Sequence, residues 1–153
     1  MKSLLLDGLL RPFQPLKKGP YPVRYDGIEN IPAPILRQYP EISRKLARWI
    51  STKGFCENMR NNEEMARSIG IDRRAMDSYF RNVIHEDCRT WRIRLKIKEA
   101  CRLINETDFR YMREICERIG FSDQSNFSKQ FHRHTGLMPG EWKQAHRRHG
   151  AGM

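Results

Sequence analysis

"EMARSIGID", residues 64–72, returns as "EICERIGFS", residues 114–122, fifty positions further on. Glu64 matches Glu114, Met65 matches Ile115, Ala66 matches Cys116, Ile69 matches Ile119 and Gly70 matches Gly120. One residue is then gained, so that Met76, Phe80 and Trp91 recur as Phe127, Phe131 and Trp142. Two amphipathic helices share an isoleucine by chance. A small residue, a glycine and two aromatics in register mark an internal duplication. Each copy has the pattern of a helix-turn-helix. The small residue (Ala66, Cys116) lets two helices cross closely, and the glycine four positions on accepts the positive φ of a sharp turn. The apolar residues that follow lock the second helix onto the first.

Working outward, Ile42, Leu46, Trp49 and Ile50 share one helical face ahead of the first copy. Asn61 or Asn62 caps the helix that stops at Gly70, and Asp72 caps the next, which buries Met76 and Phe80. Between the copies a helix runs from about Cys88 to Asn105. It carries Ile93, Ile97, Ala100 and Ile104 on one face, with Trp91 and Leu95 off that stripe. A helix apolar on two sides needs cover on two sides, so this one is expected to run between two packed units. Seven of the eight prolines fall within residues 1–40. Helix interiors exclude proline, so this stretch reads as an extended arm. It reads first as a mobile leader or the stub of a longer protein, and second as a docking arm or a dimer contact made through Leu4, Leu5, Leu9 and Leu10.

The chain has 153 residues, with 29 Lys and Arg against 18 Asp and Glu, a formal net charge of +11. That surplus favours polyanionic partners, nucleic acid or an acidic membrane surface, without bearing on fold. The four cysteines, Cys56, Cys88, Cys101 and Cys116, form no Cys-x-x-Cys pair. Cys101 and Cys116 fall within apolar helical patterns and read as small buried hydrophobes, not as a disulfide framework. The opening "MKSLLLDGLL" has an acidic residue inside its apolar run and is rejected as a signal peptide, and no apolar run is long enough to span a bilayer. There is no Gly-rich phosphate loop, nucleophile elbow or paired metal motif, so the chain is read as a non-enzyme without cofactor or metal. His132 and His134 point to different sides of their helix, and His146 and His149 read as part of a charged, frayed tail.

The string "EICERIGFSDQSNFSKQFHRHTGLMPGEW", residues 114–142, resembles the second half of the AraC/XylS family DNA-binding domain. Ile115, Gly120, Phe121, Ser125, Phe127, Phe131, Gly136, Pro139 and Trp142 fill that family's usual positions. "RLKIKEACRLI", residues 94–104, resembles its connecting helix. The likeness covers about 41–144. It implies an all-α fold with two helix-turn-helix subdomains, about 41–87 and 107–144, joined by a connecting helix at about 88–106. An arm (1–40) would precede them and a basic tail (145–153) would follow. It further implies a bacterial transcription regulator, cytoplasmic and nucleoid-associated, whose partners are double-stranded DNA and RNA polymerase, with no membrane and with DNA binding open to a monomer. Cys116 replaces the usual alanine, Tyr111 stands where Ser or Thr often caps a helix, and His85 occupies the place of a turn glycine.

With Phe127 and Phe131 inward at 100° per residue, Ser122, Ser125, Asn126, Lys129 and Arg133 face outward. Such groups read base edges and phosphates: Asn bidentate to adenine, Lys to guanine, Ser to either. Gln124 joins them through the resemblance. In the first copy, Met76 and Phe80 inward leave Arg74, Ala75, Ser78, Arg81 and Asn82 outward. Arg74 is the expected guanine contact, with Arg73 beside it for phosphate. Asp77, at a family contact position, either accepts from a cytosine amino group or repels the backbone. Ser78 stands where members often have Arg, so this half is expected to contact fewer bases. The connecting helix offers Arg89, Arg92, Arg94, Lys96, Lys98 and Arg102 to phosphates. Two other readings remain open at this level. One is a protein that coats DNA without sequence preference; the other is a protein-interaction fragment of a larger sensor.

Overall fold

The computed structural model describes residues 30–151, with side chains as far as residue 146. Leu4, Leu5, Leu9, Leu10 and the side chain of His149 lie outside the described residues. In chain order the helices are α1 (Ala33–Leu36), α2 (Tyr39–Ser51), α3 (Asn62–Ile69) and α4 (Arg73–Tyr79), then α5 (Cys88–Glu106), α6 (Met112–Arg118), α7 (Gln124–Thr135) and α8 (Pro139–Ala151). No strand occurs among the described residues. The chain folds as two compact units. One comprises the described residues up to Gly54 with Met59–Trp91; the other comprises Phe55–Asn58 and the residues from Arg92 onward.

In the first unit, α2, α3 and α4 pack around Leu46, Met65 and Met76, all fully buried. Trp91, from the start of α5, stacks on Trp49 at 5.9 Å between ring centres and meets the edge of Phe80 at 5.0 Å. In the second unit, Ile97, Ala100 and Ile104 of α5 meet Ile115, Cys116 and Ile119 of the α6 region and Phe127 and Phe131 of α7. Trp142 of α8 takes the position that Trp91 holds in the first unit, edge-on to Phe131 at 5.8 Å. Replacing Phe127 or Phe131 by alanine would remove about 3–5 kcal/mol, the usual cost of emptying an aromatic site.

The duplication extends to the hydrogen bonds. The Asn61 side chain accepts from the Glu64 N–H at 2.8 Å while the Glu64 carboxylate accepts from the Arg60 N–H at 2.9 Å. In the second unit Tyr111, with its ring exposed, cannot repeat the first bond, yet Glu114 repeats the second, accepting from the Arg110 N–H at 2.8 Å. Both turns are closed alike: Ile71 N–H to Ala66 O at 2.9 Å, and Phe121 N–H to Cys116 O at 3.0 Å. Gly70 and Gly120 have φ of +75° and +77°. Asp72 and Asp123 cap the helices that follow. The reach of the repeat is longer than the sequence motif. Lys45 of α2 donates to the Gly70 carbonyl at 2.7 Å, and Lys96 of α5, fifty-one positions later, donates to the Gly120 carbonyl at 2.9 Å.

Three expectations need revision. Residues 33–36 are helical, not extended, because Pro34 sits in the first turn of α1, where a missing N–H costs nothing. Pro40 is likewise in the first turn of α2. The stretch from residue 145 continues helix α8 to Ala151, with His146 stacked on Trp142 at 3.8 Å and bonded to its carbonyl at 2.9 Å. The expected outward face of α4 included Ala75, which is fully buried beside Met76, Tyr79 and Phe80. Helix α4 packs against both α2 and α3, so its covered arc is wider than two anchors indicate. Cys88, Cys101 and Cys116 are buried, Cys56 is half-buried, and none of the four is in a disulfide. Burial pushes the Cys101 thiol up to about 12. Among the described residues, no helix is long and apolar enough to cross a membrane.

Candidate nucleic-acid interface

Helix α7 is built as sequence periodicity requires. Phe127 and Phe131 are fully buried, while Gln124, Ser125, Asn126, Lys129 and Arg133 are all exposed. The Asp123 carboxylate accepts the Ser125 N–H at 2.9 Å and starts the helix. Gly136, in the left-handed region at φ +82°, ends it. Among the described residues these five side chains make no ion pair with one another or with a neighbour. They form a polar, cationic strip whose amide, hydroxyl, ammonium and guanidinium groups suit base edges and phosphates. His134, behind this strip, is half-buried. Burial first, then the charges of Arg94 and Arg133, hold its imidazole down to about 4.

Helix α4 presents a different face. Arg74 and Arg81 are exposed. Arg73 is tied down: its Nε lies 3.0 Å from Asp77 Oδ2 and its Nη1 lies 3.4 Å from Glu63. The same pairing neutralises Asp77, which bears on whether that carboxylate repels a backbone. Ser78 is half-buried, and its hydroxyl lies 2.6 Å from the Tyr39 hydroxyl. Asn82 donates to that hydroxyl at 3.2 Å and to the Ser78 carbonyl at 2.9 Å. Of the five candidates on this helix and the turn that follows it, Arg74 and Arg81 are thus exposed, and Arg73, Asp77 and Ser78 are engaged within the unit. Beyond Tyr79 the helix widens into a π-type turn, Phe80–Ile84, ending at His85 with φ +59°. His85 therefore does adopt the glycine-like conformation that its place in the repeat implied.

The connecting helix contributes less than its charges imply. Arg92, Arg94 and Lys96 are buried. Arg102 is held by Glu99 at 2.6 Å and Glu106 at 2.7 Å. Arg89 is exposed and Lys98 half-buried. Lys96 serves the fold: besides Gly120, it donates to the Glu57 carbonyl at 3.2 Å, and burial lowers its ammonium to about 8. Sequence reading missed this role of Lys96, although the match of Lys45, Ile42 and Leu46 with Lys96, Ile93 and Ile97, each fifty-one positions on, was a signal that pointed to it.

Residues 65–145 match a family model described as a helix-turn-helix domain, more than half of the chain. No curated protein matches the sequence significantly. Among solved structures, a protein of unknown function from Listeria innocua superposes with a TM-score of 0.59 at 22% identity, over 69% of this chain and 96% of that one. The C-terminal domain of AraT, a response regulator from Geobacillus stearothermophilus, gives 0.57 at 19% identity, over 74% of this chain and 86% of that one. At these identities the likeness concerns the fold.

Proposed function

Because this chain belongs to the AraC-type helix-turn-helix family and is a DNA-binding regulator of that kind, we propose that it reads a specific duplex sequence with two recognition helices, α4 and α7, set into adjacent segments of the major groove. The observation that carries this reading is the make-up of α7. Its buried side is aromatic, and its exposed side holds Gln124, Ser125, Asn126, Lys129 and Arg133, a set with base-reading capacity and not charge alone. Asn126 and Lys129 suit adenine and guanine respectively, and Arg133 and Gln124 suit the flanking backbone or bases. On α4, Arg74 takes the guanine contact and Arg81 a phosphate, while Arg73, Asp77 and Ser78 contribute once released from their internal partners.

Two such helices on one chain address an asymmetric site of roughly 15–20 base pairs, whose halves are about one turn of B-DNA apart. That arrangement lets a monomer suffice. Contact with RNA polymerase through a surface away from the DNA would turn binding into regulation at the nucleoid. Affinity should fall steeply with salt through counterion release. The test compares the chain with an Arg74→Ala, Lys129→Ala double variant on selected and random duplexes at one fixed moderate salt concentration. Loss of discrimination in the variant supports the reading. Retained binding, equal on both duplexes, favours a DNA-coating protein or a protein-interaction module instead.

A further inference from the structure

The residues just ahead of α2 lie on the face of α4 that a recognition helix turns toward DNA. Helix α1 packs directly against α4. Ile31, Pro32 and Ile35 form one wall of a cleft of about 380 Å³ whose other wall is Arg74, Ser78 and Arg81. Those three belong to one outward stripe, spaced four and three residues apart. At the end of the segment Tyr39 closes the contact. Its ring meets Tyr79 edge-on at 5.3 Å, and its hydroxyl accepts from Asn82 and has its proton available for Ser78 at 2.6 Å. Beside this segment Arg74 and Arg81 stay exposed while Ser78 between them is half-buried and engaged, whereas on α7 all the corresponding side chains are exposed.

The major groove is about 12 Å wide, and an α-helix with its side chains fills about 10–12 Å. A recognition helix that carries a second chain segment along its outer face does not fit. We propose that residues 30–39 are an intramolecular strap that obstructs the first reading head at Ser78, so that α7 reads DNA freely while α4 seats fully in the groove only after the strap is displaced. The proposal rests on the two-headed reading above and deepens it by assigning the regulation of one head. What holds the strap is small: one hydroxyl–hydroxyl–amide network and a short apolar contact from a single-turn helix. Such a closure lowers affinity without abolishing binding, and DNA that supplies good contacts to α4 overcomes it.

The test uses the full chain and two release variants, Tyr39→Phe, which keeps the ring against Tyr79, and Ile31→Ser with Ile35→Ser, which loosens α1 without adding charge near DNA. Each is titrated against a duplex carrying both boxes recovered by selection with the unaltered chain, a duplex in which the box read by α4 is scrambled, and a random duplex. Thermal melting confirms that Tyr39→Phe remains folded. The strap predicts that both variants bind the two-box duplex more tightly, by up to about tenfold, the equivalent of one net hydrogen bond. Affinity for the duplex with the scrambled box should stay unchanged. Equal affinity of variants and unaltered chain for the two-box duplex overturns the strap and leaves the DNA reading standing. Weaker binding by both variants also overturns it, since the segment would then be a DNA contact. Failure of every protein to distinguish the selected from the random duplex overturns the two-headed reading itself, and the strap with it.

Discussion

The Lys96 ammonium ends 2.9 Å from the carbonyl oxygen of Gly120, on the turn that aims α7. It also reaches the Glu57 carbonyl, so one side chain ties α5 to a loop and to the helix-turn-helix corner. Replacing Lys96 with methionine keeps the stem's packing but leaves both carbonyls without their donor. Denaturant unfolding should show a loss of about 1–3 kcal/mol, the cost of unsatisfied buried acceptors. Lys45→Met removes one bond to Gly70 and a solvent-exposed ion pair with Glu41 at 3.4 Å, and should cost about 1 kcal/mol or less.

The two turn glycines differ in a way their shared sequence motif conceals. At Gly120 an added Cβ would collide with the Cys56 carbonyl, backbone that cannot step aside. At Gly70 the nearest atom is the tip of Lys45, 3.5 Å away. Gly70→Ala should therefore cost only the left-handed strain of about 1–2 kcal/mol. Gly120→Ala should cost clearly more, and thermal melts of the two variants should differ in that order.

His85 closes the first recognition segment with φ +59°, where the second copy has Gly136. A non-glycine residue in that region carries strain of roughly 1 kcal/mol relative to glycine. His85→Gly should accordingly change stability little, a gain of at most about 0.5 kcal/mol, because the entropy that glycine adds to the unfolded chain offsets most of the relieved strain. A denaturation midpoint equal to or slightly above that of the unaltered chain, with unchanged slope, is the expected signature.

Acid should loosen the second unit through His134. Its folded imidazole, held down to about 4 mainly by burial, takes a proton far later than the ordinary 6.5 of an unfolded chain. Between those values the unfolded state binds more protons, so this contribution is complete above pH 6.5 and is lost as pH falls toward 4. His134→Gln should flatten the pH dependence of stability across that window, measured by denaturant titrations at several pH values.

Much of this architecture was legible because its determinants are local and repeated. Gly70 and Gly120 with their aromatic followers mark the two corners, and the period of Phe127 and Phe131 defines the open face of α7 without further knowledge. Expectation and structure part on α4, where distant segments decide what is exposed. The Ser78 hydroxyl is engaged by Tyr39, thirty-nine positions away, and the burial of Ala75 follows from packing on both α2 and α3. No local periodicity carries that information. The pairing of Arg73 with Asp77 is implicit in their i, i+4 spacing, but Arg73 beside Arg74 reads as a phosphate contact and the resemblance places Asp77 at a contact position, so each is read toward DNA and not toward the other. Helix α1 went unread because prolines count against a helix everywhere except its first turn.

The doubled construction is tested most directly by selecting bound sequences from a random duplex pool with the full chain. Two heads predict an enriched asymmetric consensus of two boxes whose centres lie about 10–10.5 base pairs apart. Recovery of a single box, or of a pool no different from the input despite tight binding, would contradict it.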